Sequence, residues 1–170
     1  DAKSLHSGDY VYITGTIYVA RDAAHKRMLE NLHKGIALPV DLKDQTIYFA
    51  GPAPAKPNEP IGSVGPTTSY RMDAYSPETI ELGLTCMIGK GARSKEVVDA
   101  MKKYGAVYIG AVGGAGALIS QCVKKCEVVD YADLGSEAIH RLEVVDFPGI
   151  VIIDSEGNNL YETEPPKYKK

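Results

Sequence analysis

The chain is 170 residues long, 44% hydrophobic and 24% charged, a composition that fits an ordinary globular protein and excludes collagen-like and disordered classes. A formal net charge of -3 and a sequence pI near 5.8 argue against nucleic acid as a partner, because phosphate binding demands clustered Lys and Arg. No apolar run reaches the roughly 20 residues of a membrane span, and one compact domain is expected, hiding roughly 70% of the surface its unfolded chain would expose.

The opening run DAKSLHSGDY has neither the basic start nor the apolar stretch of a secretory signal, and Asp1 in place of Met implies residues upstream. A cytoplasmic location is the default expectation. Residues 9–20, DYVYITGTIYVA, alternate β-branched and aromatic residues and predict a strand with Val11, Ile13, Ile17 and Val19 inward. RDAAHKRMLENLHKG places Ala24, Met28, Leu29 and Leu32 at helical spacing and stops at Gly35, so Arg21 falls at a strand-to-helix junction. QTIYFAG predicts a second strand, followed by a Pro-rich loop over 51–60 that cannot pair inside a sheet.

Ser76 reads as the cap of a short helix with Pro77 in its first turn. LTCMIG is an apolar strand, GKGARS a glycine-rich turn, and SKEVVDAMKKYG a helix capped by Ser94 and ended by Gly105. AVYIGAV, GGAG and ALISQCVKK repeat the phrase as strand, tight turn and helix. Beyond Glu127 the chain reads as strands, EVV, LEVVDF and GIVIIDSEGNNLY, with a hairpin turn at Glu156-Gly157-Asn158 and a frayed tail over 163–170. The alternation predicts an α/β sheet covered by helices, without an internal domain boundary.

In such sheets ligands gather at strand C-terminal ends, where helix N-termini present free N–H groups to anions. Three junctions carry cations there: Arg21-Asp22, the run Gly65 to Arg71, and the run Gly89 to Ser94. An Arg fork holds a carboxylate with two parallel hydrogen bonds and a Lys adds a point charge, so the set suits a small polyanion such as a dicarboxylate. The competing reading, surface charges near loops, applies to each cation singly. His25, one turn into its helix, is placed to orient Arg21 or a ligand, whereas His6, His33 and His140 read as packed or solvated.

Nucleotide binding fails on spacing. A P-loop would need Gly where Leu84 stands and Ser or Thr where Gly91 stands, and the glycines from Gly110 to Gly116 miss the dinucleotide fingerprint. Three cysteines, an odd number without paired spacing, describe no disulfide framework and agree with a reducing compartment. Cys86 lies in an apolar strand, while Cys122 and Cys126 fall about one helical turn apart near a helix end, so none has the loop spacing that wraps an iron–sulfur cluster. They read as buried small hydrophobes.

Thr14-Gly15-Thr16, ARDAAHKRM from Ala20 to Met28, GPTTSYRMDAYSP from Gly65 to Pro77 and GKGARS from Gly89 to Ser94 resemble the beta-type half of the iron–sulfur fumarase and tartrate dehydratase family. The resemblance runs over nearly the whole chain. It implies a swivelling β/β/α domain and a hydro-lyase reaction, the reversible addition of water to fumarate giving (S)-malate. It further implies that a four-iron four-sulfur cluster sits on an alpha-type partner subunit, with none bound by this chain. The assembly expected is a hetero-oligomer, with a homodimer as the form of the isolated chain. Carried onto matching positions, the family roles place Arg21, Arg71 and Lys90 on the substrate carboxylates and Thr67 at the reacting carbon as a proton-transfer group. RDAAHKR and GKGARS favour the fumarase branch over tartrate dehydratase, and a non-catalytic dicarboxylate-binding subunit is the remaining alternative.

Overall fold

The computed structural model describes residues 2–111 and 116–163. Four strands run parallel: β1 (Tyr10–Val19), β2 (Thr46–Tyr48), β3 (Cys86–Gly89) and β4 (Val107–Ala111). The antiparallel pair, β5 (Val123–Asp130) and β6 (Ile139–Ile153), completes the sheet. Along one side β6 pairs with β1; along the other it pairs first with β5 and then with β4. The set β1-β2-β3-β4-β6 therefore closes on itself as a small barrel, with β5 extending it at an edge. Pro148, which has no N–H to give to a ladder, lies in the stretch of β6 between its β5 and β4 partners.

Alternation along the strands feeds two cores. Tyr48, Ile88, Val107 and Ile109 join Ile17, Val19, Leu142, Val144 and Phe147 in one cluster, while Ile47, Met87 and Tyr108 pack with Met28, Ile80, Val97 and Met101 of the helices in the other. Both faces of β3 and β4 are thus covered, which explains why they read as continuous apolar runs rather than alternating ones. Helices α1 (Asp22–His33), α2 (Ser76–Glu81) and α3 (Lys95–Tyr104) follow β1, the loop after β2, and β3; α4 (Gly116–Ser120) and α5 (Leu160–Thr163) are short. The chain is a single compact α/β domain, as the sequence predicts.

Several local expectations change. On β1, Ile17 and Val19 are buried, whereas Val11 and Ile13 are only half-buried, beyond a register shift between Ile13 and Gly15. Leu32 is half-buried beside the core residues Met28 and Leu29. Ser76 is not the cap of α2: Tyr75 holds that place, and the Ser76 hydroxyl donates to Met72 O at 3.0 Å. The predicted helix ALISQCVKK stops at Ser120, and Val123 onward joins β5, because pairing with β6 outweighs the helical spacing. Cys126 consequently lies in a strand and Cys122 in the turn before it, not along one helix.

The segments LEVVDF and GIVIIDSEGNNLY begin as one continuous 15-residue strand, β6. A turn is present at Glu156-Gly157-Asn158, with Asp154 Oδ1 accepting from the N–H groups of Glu156 and Asn158 at 3.0 Å each, but the expected hairpin is reduced to the single bridge of Ile153 with Asn159, and Leu160–Thr163 is helix α5 rather than strand. The loop over 51–60 carries no helix or strand and is mostly exposed. Residues 113–115 of GGAG and residues 164–170 of the tail lie outside the described residues. No helix of the described residues is long and apolar enough to cross a membrane.

Candidate active site

Arg21 and Lys90 sit where β1 and β3 end, on the same side of the parallel strands. The loop from Gly65 to Arg71 is stitched across those ends by backbone hydrogen bonds. Thr67 N donates to Phe49 O at 2.7 Å, and Ser69 N donates to Lys90 O at 2.8 Å. Lys90 N returns a bond to Ser69 Oγ at 3.1 Å, and Thr68 bridges Lys90 in parallel register. Two segments far apart in the sequence are thereby locked side by side. A β-carbon at Gly89 would collide with Ser69 Oγ, so glycine is the residue that permits this approach.

The two arginines meet through one carboxylate. Arg21 Nε lies 3.5 Å from Asp22 Oδ1 and 3.3 Å from Glu137 Oε1, while Arg71 Nε lies 3.5 Å from Asp22 Oδ2. The Arg21 side chain runs across Gly51, where an added β-carbon would stand 3.1 Å from its Cδ and 3.2 Å from its Nη1. Arg71 keeps 48% of its side-chain surface exposed and Arg21 28%. Lys90 is exposed and makes no ion pair among the described residues. Thr67 is half-buried, and its hydroxyl makes no hydrogen bond among the described residues. The structure thus brings Arg21 to Arg71 through Asp22, and Thr67 to Lys90 through the backbone stitch between their segments.

Two buried groups set this arrangement. Arg93, fully enclosed, donates from Nε to Asp73 Oδ1 at 2.8 Å and from Nη2 to Ser76 Oγ at 2.6 Å. Its guanidinium carbon sits 5.2 Å from the Phe49 ring centroid and 4.9 Å from that of Tyr108. Burial lowers its pKa, and the adjacent Asp73 opposes that shift by favouring the cation. Because Asp73 follows Arg71 closely and Arg93 follows Lys90, the pair braces the two cation-bearing loops against each other. Tyr108 adds a second tie, its hydroxyl lying 2.8 Å from Ser69 Oγ and 2.9 Å from Gly91 O. Burial raises the Tyr108 pKa, which keeps the phenol protonated and able to donate.

His25 is the second buried group. Its Nδ1 lies 2.9 Å from Arg21 O; a carbonyl only accepts, so Nδ1 carries the hydrogen and Nε2 is the bare acceptor. Nε2 is buried and meets no donor among the described residues. The ring packs between Phe49 and Tyr75 with centroids at 5.5 and 6.0 Å. Desolvation is the main cause that lowers its pKa from 6.5 to about 4, so the imidazole is neutral near pH 7. It touches the backbone of Arg21 from inside the core. The roles of Arg93, Asp73 and Glu137 were not read from the sequence; Arg93 stood in a glycine-rich turn like any surface cation, and nothing in the chain marks Glu137 as a neighbour of Arg21.

The three cysteines lie in β3, in the turn before β5 and in β5. Cys86 is buried in the β3 interior, with its thiol pushed up to about 12 by desolvation. Burial likewise raises the Cys126 thiol. No group of three or more His, Cys, Asp and Glu side chains among the described residues could hold a metal ion. The other histidines lie away from the cations: His33 pairs with Glu78 Oε2 at 2.8 Å, and His140 Nδ1 lies 2.9 Å from Ala138 O. A concavity of about 730 Å³ lies between the Pro-rich loop and the start of β5, and none of Arg21, Thr67, Arg71 or Lys90 lines it. At the strand ends Arg71 and Lys90 are exposed, whereas Arg21 and Thr67 are half-buried.

A family model described as the Fumarase C-terminus matches residues 1–164. Fumarate hydratase 1, mitochondrial, of Leishmania major is 45% identical over 156 residues, covering 88% of this chain and 28% of that protein. The aerobic class I fumarate hydratase of Escherichia coli strain K12 is 43% identical over 152 residues, covering 88% of this chain and 28% of that protein. The putative L(+)-tartrate dehydratase subunit beta of Methanocaldococcus jannaschii is 44% identical over 168 residues, covering 95% of this chain and 86% of that protein. The chain therefore spans little more than a quarter of the two fumarate hydratases, but most of the tartrate dehydratase subunit.

Proposed function

Because the chain belongs to the Fumarase C-terminus family, we propose that it is the beta-type part of an iron–sulfur fumarate hydratase, catalysing the reversible hydration of fumarate to (S)-malate together with an alpha-type subunit. The domain is of the swivelling β/β/α kind, closing its cation surface onto the partner. The observation that carries this reading is the assembly of Arg21, Arg71 and Lys90 at the ends of β1 and β3 with Thr67 in the loop between them. Three cations brought to neighbouring strand ends suit a dianion, and the exposure of Arg71 and Lys90 suits completion of the site by a second chain.

In this reading the arginine forks and the Lys90 ammonium bind the two carboxylates, and the Thr67 oxygen takes the proton from the malate methylene carbon. Loss of that proton builds negative charge on the adjacent carboxylate, and preplaced cations stabilise this charge more in the transition state than in the ground state. A threonine hydroxyl is a weak base at its usual pKa, so it requires activation by Arg71 or by a group of the partner. The four-iron four-sulfur centre is assigned to the partner.

The test is anaerobic reconstitution with a cysteine-bearing alpha-type subunit and assay of fumarate hydration. Activity that needs both chains supports the reading; an assembled complex inert toward fumarate and L(+)-tartrate alike sinks it. Tartrate dehydratase is the second reading, favoured by one observation: the tartrate dehydratase subunit beta is matched along 86% of its length, whereas the two fumarate hydratases are matched along 28%. The ratio of the two activities in the reconstituted complex decides between them.

A further inference from the structure

We infer that Asp22 is a positioning residue, a carboxylate shared by Arg21 and Arg71 that sets the spacing and aim of both guanidinium groups; this rests on the dicarboxylate site proposed above. Its oxygens are divided, Oδ1 facing Arg21 Nε and Oδ2 facing Arg71 Nε, each at 3.5 Å. In both pairs the nearest guanidinium nitrogen is Nε, so Asp22 approaches each fork from its Nε side rather than end-on at the two terminal nitrogens, the edge that holds a ligand carboxylate bidentately.

The shared carboxylate also solves an electrostatic problem. Two guanidinium groups aimed at one small ligand repel each other in its absence, and a negative charge between them removes that repulsion without filling the ligand's place. Asp22 is fixed for the task, being the first residue of α1, where its backbone is helical and a negative charge is favoured by the helix dipole. Its side chain is short, with little rotamer freedom to lose.

The contacts are loose in a way that fits this role. Asp22 Oδ1 and Arg21 Nε are both shut off from water, yet neither makes a well-aligned hydrogen bond among the described residues. Their separation exceeds the roughly 2.7–2.9 Å of a charge-assisted bond. Geometry of this kind tightens when a ligand draws the guanidinium groups into place. Glu137 cannot substitute, since its ion pair is with Arg21 and its other contact is to Ala23 N at 3.3 Å.

Asp22→Asn, which keeps the shape and removes the charge, is the direct test. In the ¹⁵N-labelled chain, with the Nε–H signals of Arg21 and Arg71 assigned through their Lys variants, both signals should shift and exchange faster with solvent. In the complex with an alpha-type subunit, kcat/KM for fumarate should fall tenfold or more, and Arg71→Lys should cost less in the Asp22→Asn background than in the wild type. An unmoved Arg71 signal, or effects of the two substitutions that multiply, overturns the role of Asp22. If Arg71→Lys cripples the enzyme while Asp22→Asn does not, only Asp22 is dismissed. Wild-type kinetics from Arg71→Lys would instead dismiss the dicarboxylate site, and the inference with it. Should Asp22→Asn not fold, Asp22→Glu carries the test: it keeps the charge but displaces it by one methylene, so both signals should move and turnover should drop.

Discussion

At the scale of single residues, the cations and Thr67 carry different expected signatures. Arg71 is half-exposed, with Nε its nitrogen nearest to Asp22, so Arg71→Lys keeps a charge but loses the fork, and turnover of the assembled enzyme should fall roughly tenfold to a thousandfold. Steady-state kinetics with fumarate check it, and an unchanged turnover would remove Arg71 from the site. The Thr67 hydroxyl has no structural hydrogen bond among the described residues, so Thr67→Val should leave the fold intact while lowering turnover about a hundredfold or more if the oxygen moves the proton. Exchange of the malate methylene proton with deuterated solvent is the readout; normal exchange in Thr67→Val leaves that step to the partner. His25 offers a pH test of stability. Its folded pKa of about 4 lies below the usual 6.5, so between those values the unfolded chain binds the extra proton. Stability is therefore full above about pH 6.5 and declines toward pH 4, by about 3 kcal/mol in all. Urea unfolding across this range should show the slope in the wild type and a flatter one in His25→Asn, whose amide keeps a donor for Arg21 O but does not titrate.

At the scale of elements, the site depends on how loops are tied to strand ends rather than on the helices alone. Ser94 caps α3 with its Oγ accepting from Val97 N, and Gly105 ends it in the left-handed region at φ 84. Ser94→Ala should cost about 1 kcal/mol by chemical denaturation. The Arg93–Asp73 pair matters more, because the guanidinium is wholly enclosed and also serves Ser76 and two aromatic rings. Arg93→Met leaves Asp73 half-buried and still accepting from Ser94 N at 2.8 Å, but it removes the charged hydrogen bonds to Asp73 and Ser76, so it should destabilise the chain by about 2–3 kcal/mol. Asp73→Asn combined with Arg93→Met should recover part of that loss. If the double variant is no more stable than Arg93→Met alone, the brace is not an ion pair in the energetic sense.

At the scale of the whole molecule, the closed barrel and its helices present Arg71 and Lys90 as exposed cations at the strand ends. The isolated chain should lack hydratase activity and bind no iron–sulfur cluster. Iron and sulfide analysis of anaerobically prepared chain tests this, and a stoichiometric cluster on it would overturn the division between subunits. Closure itself rests on β6 pairing with β1 and β4 at once. Its middle therefore tolerates little side-chain bulk: a β-carbon at Gly149 would run into the Ile109 side chain.

The local order of the chain determined much of this. Alternation and helical spacing located β1, β3, β4, α1 and α3, and the caps Ser94 and Gly105, because these signals act over neighbouring residues. The grouping of Arg21, the Thr67–Arg71 loop and Lys90 at strand ends was likewise legible, since parallel α/β topology fixes where such junctions fall. Only tertiary structure decided the rest. The tract after Ser120 became strand because β6 supplied a ladder, and Ser76 left the cap position to serve Arg93. Barrel closure, the Arg93–Asp73 brace and the Asp22 bridge all join residues whose proximity depends on long-range pairing. Their energies arise from desolvation and charge in a shared environment, which no spacing along one segment encodes.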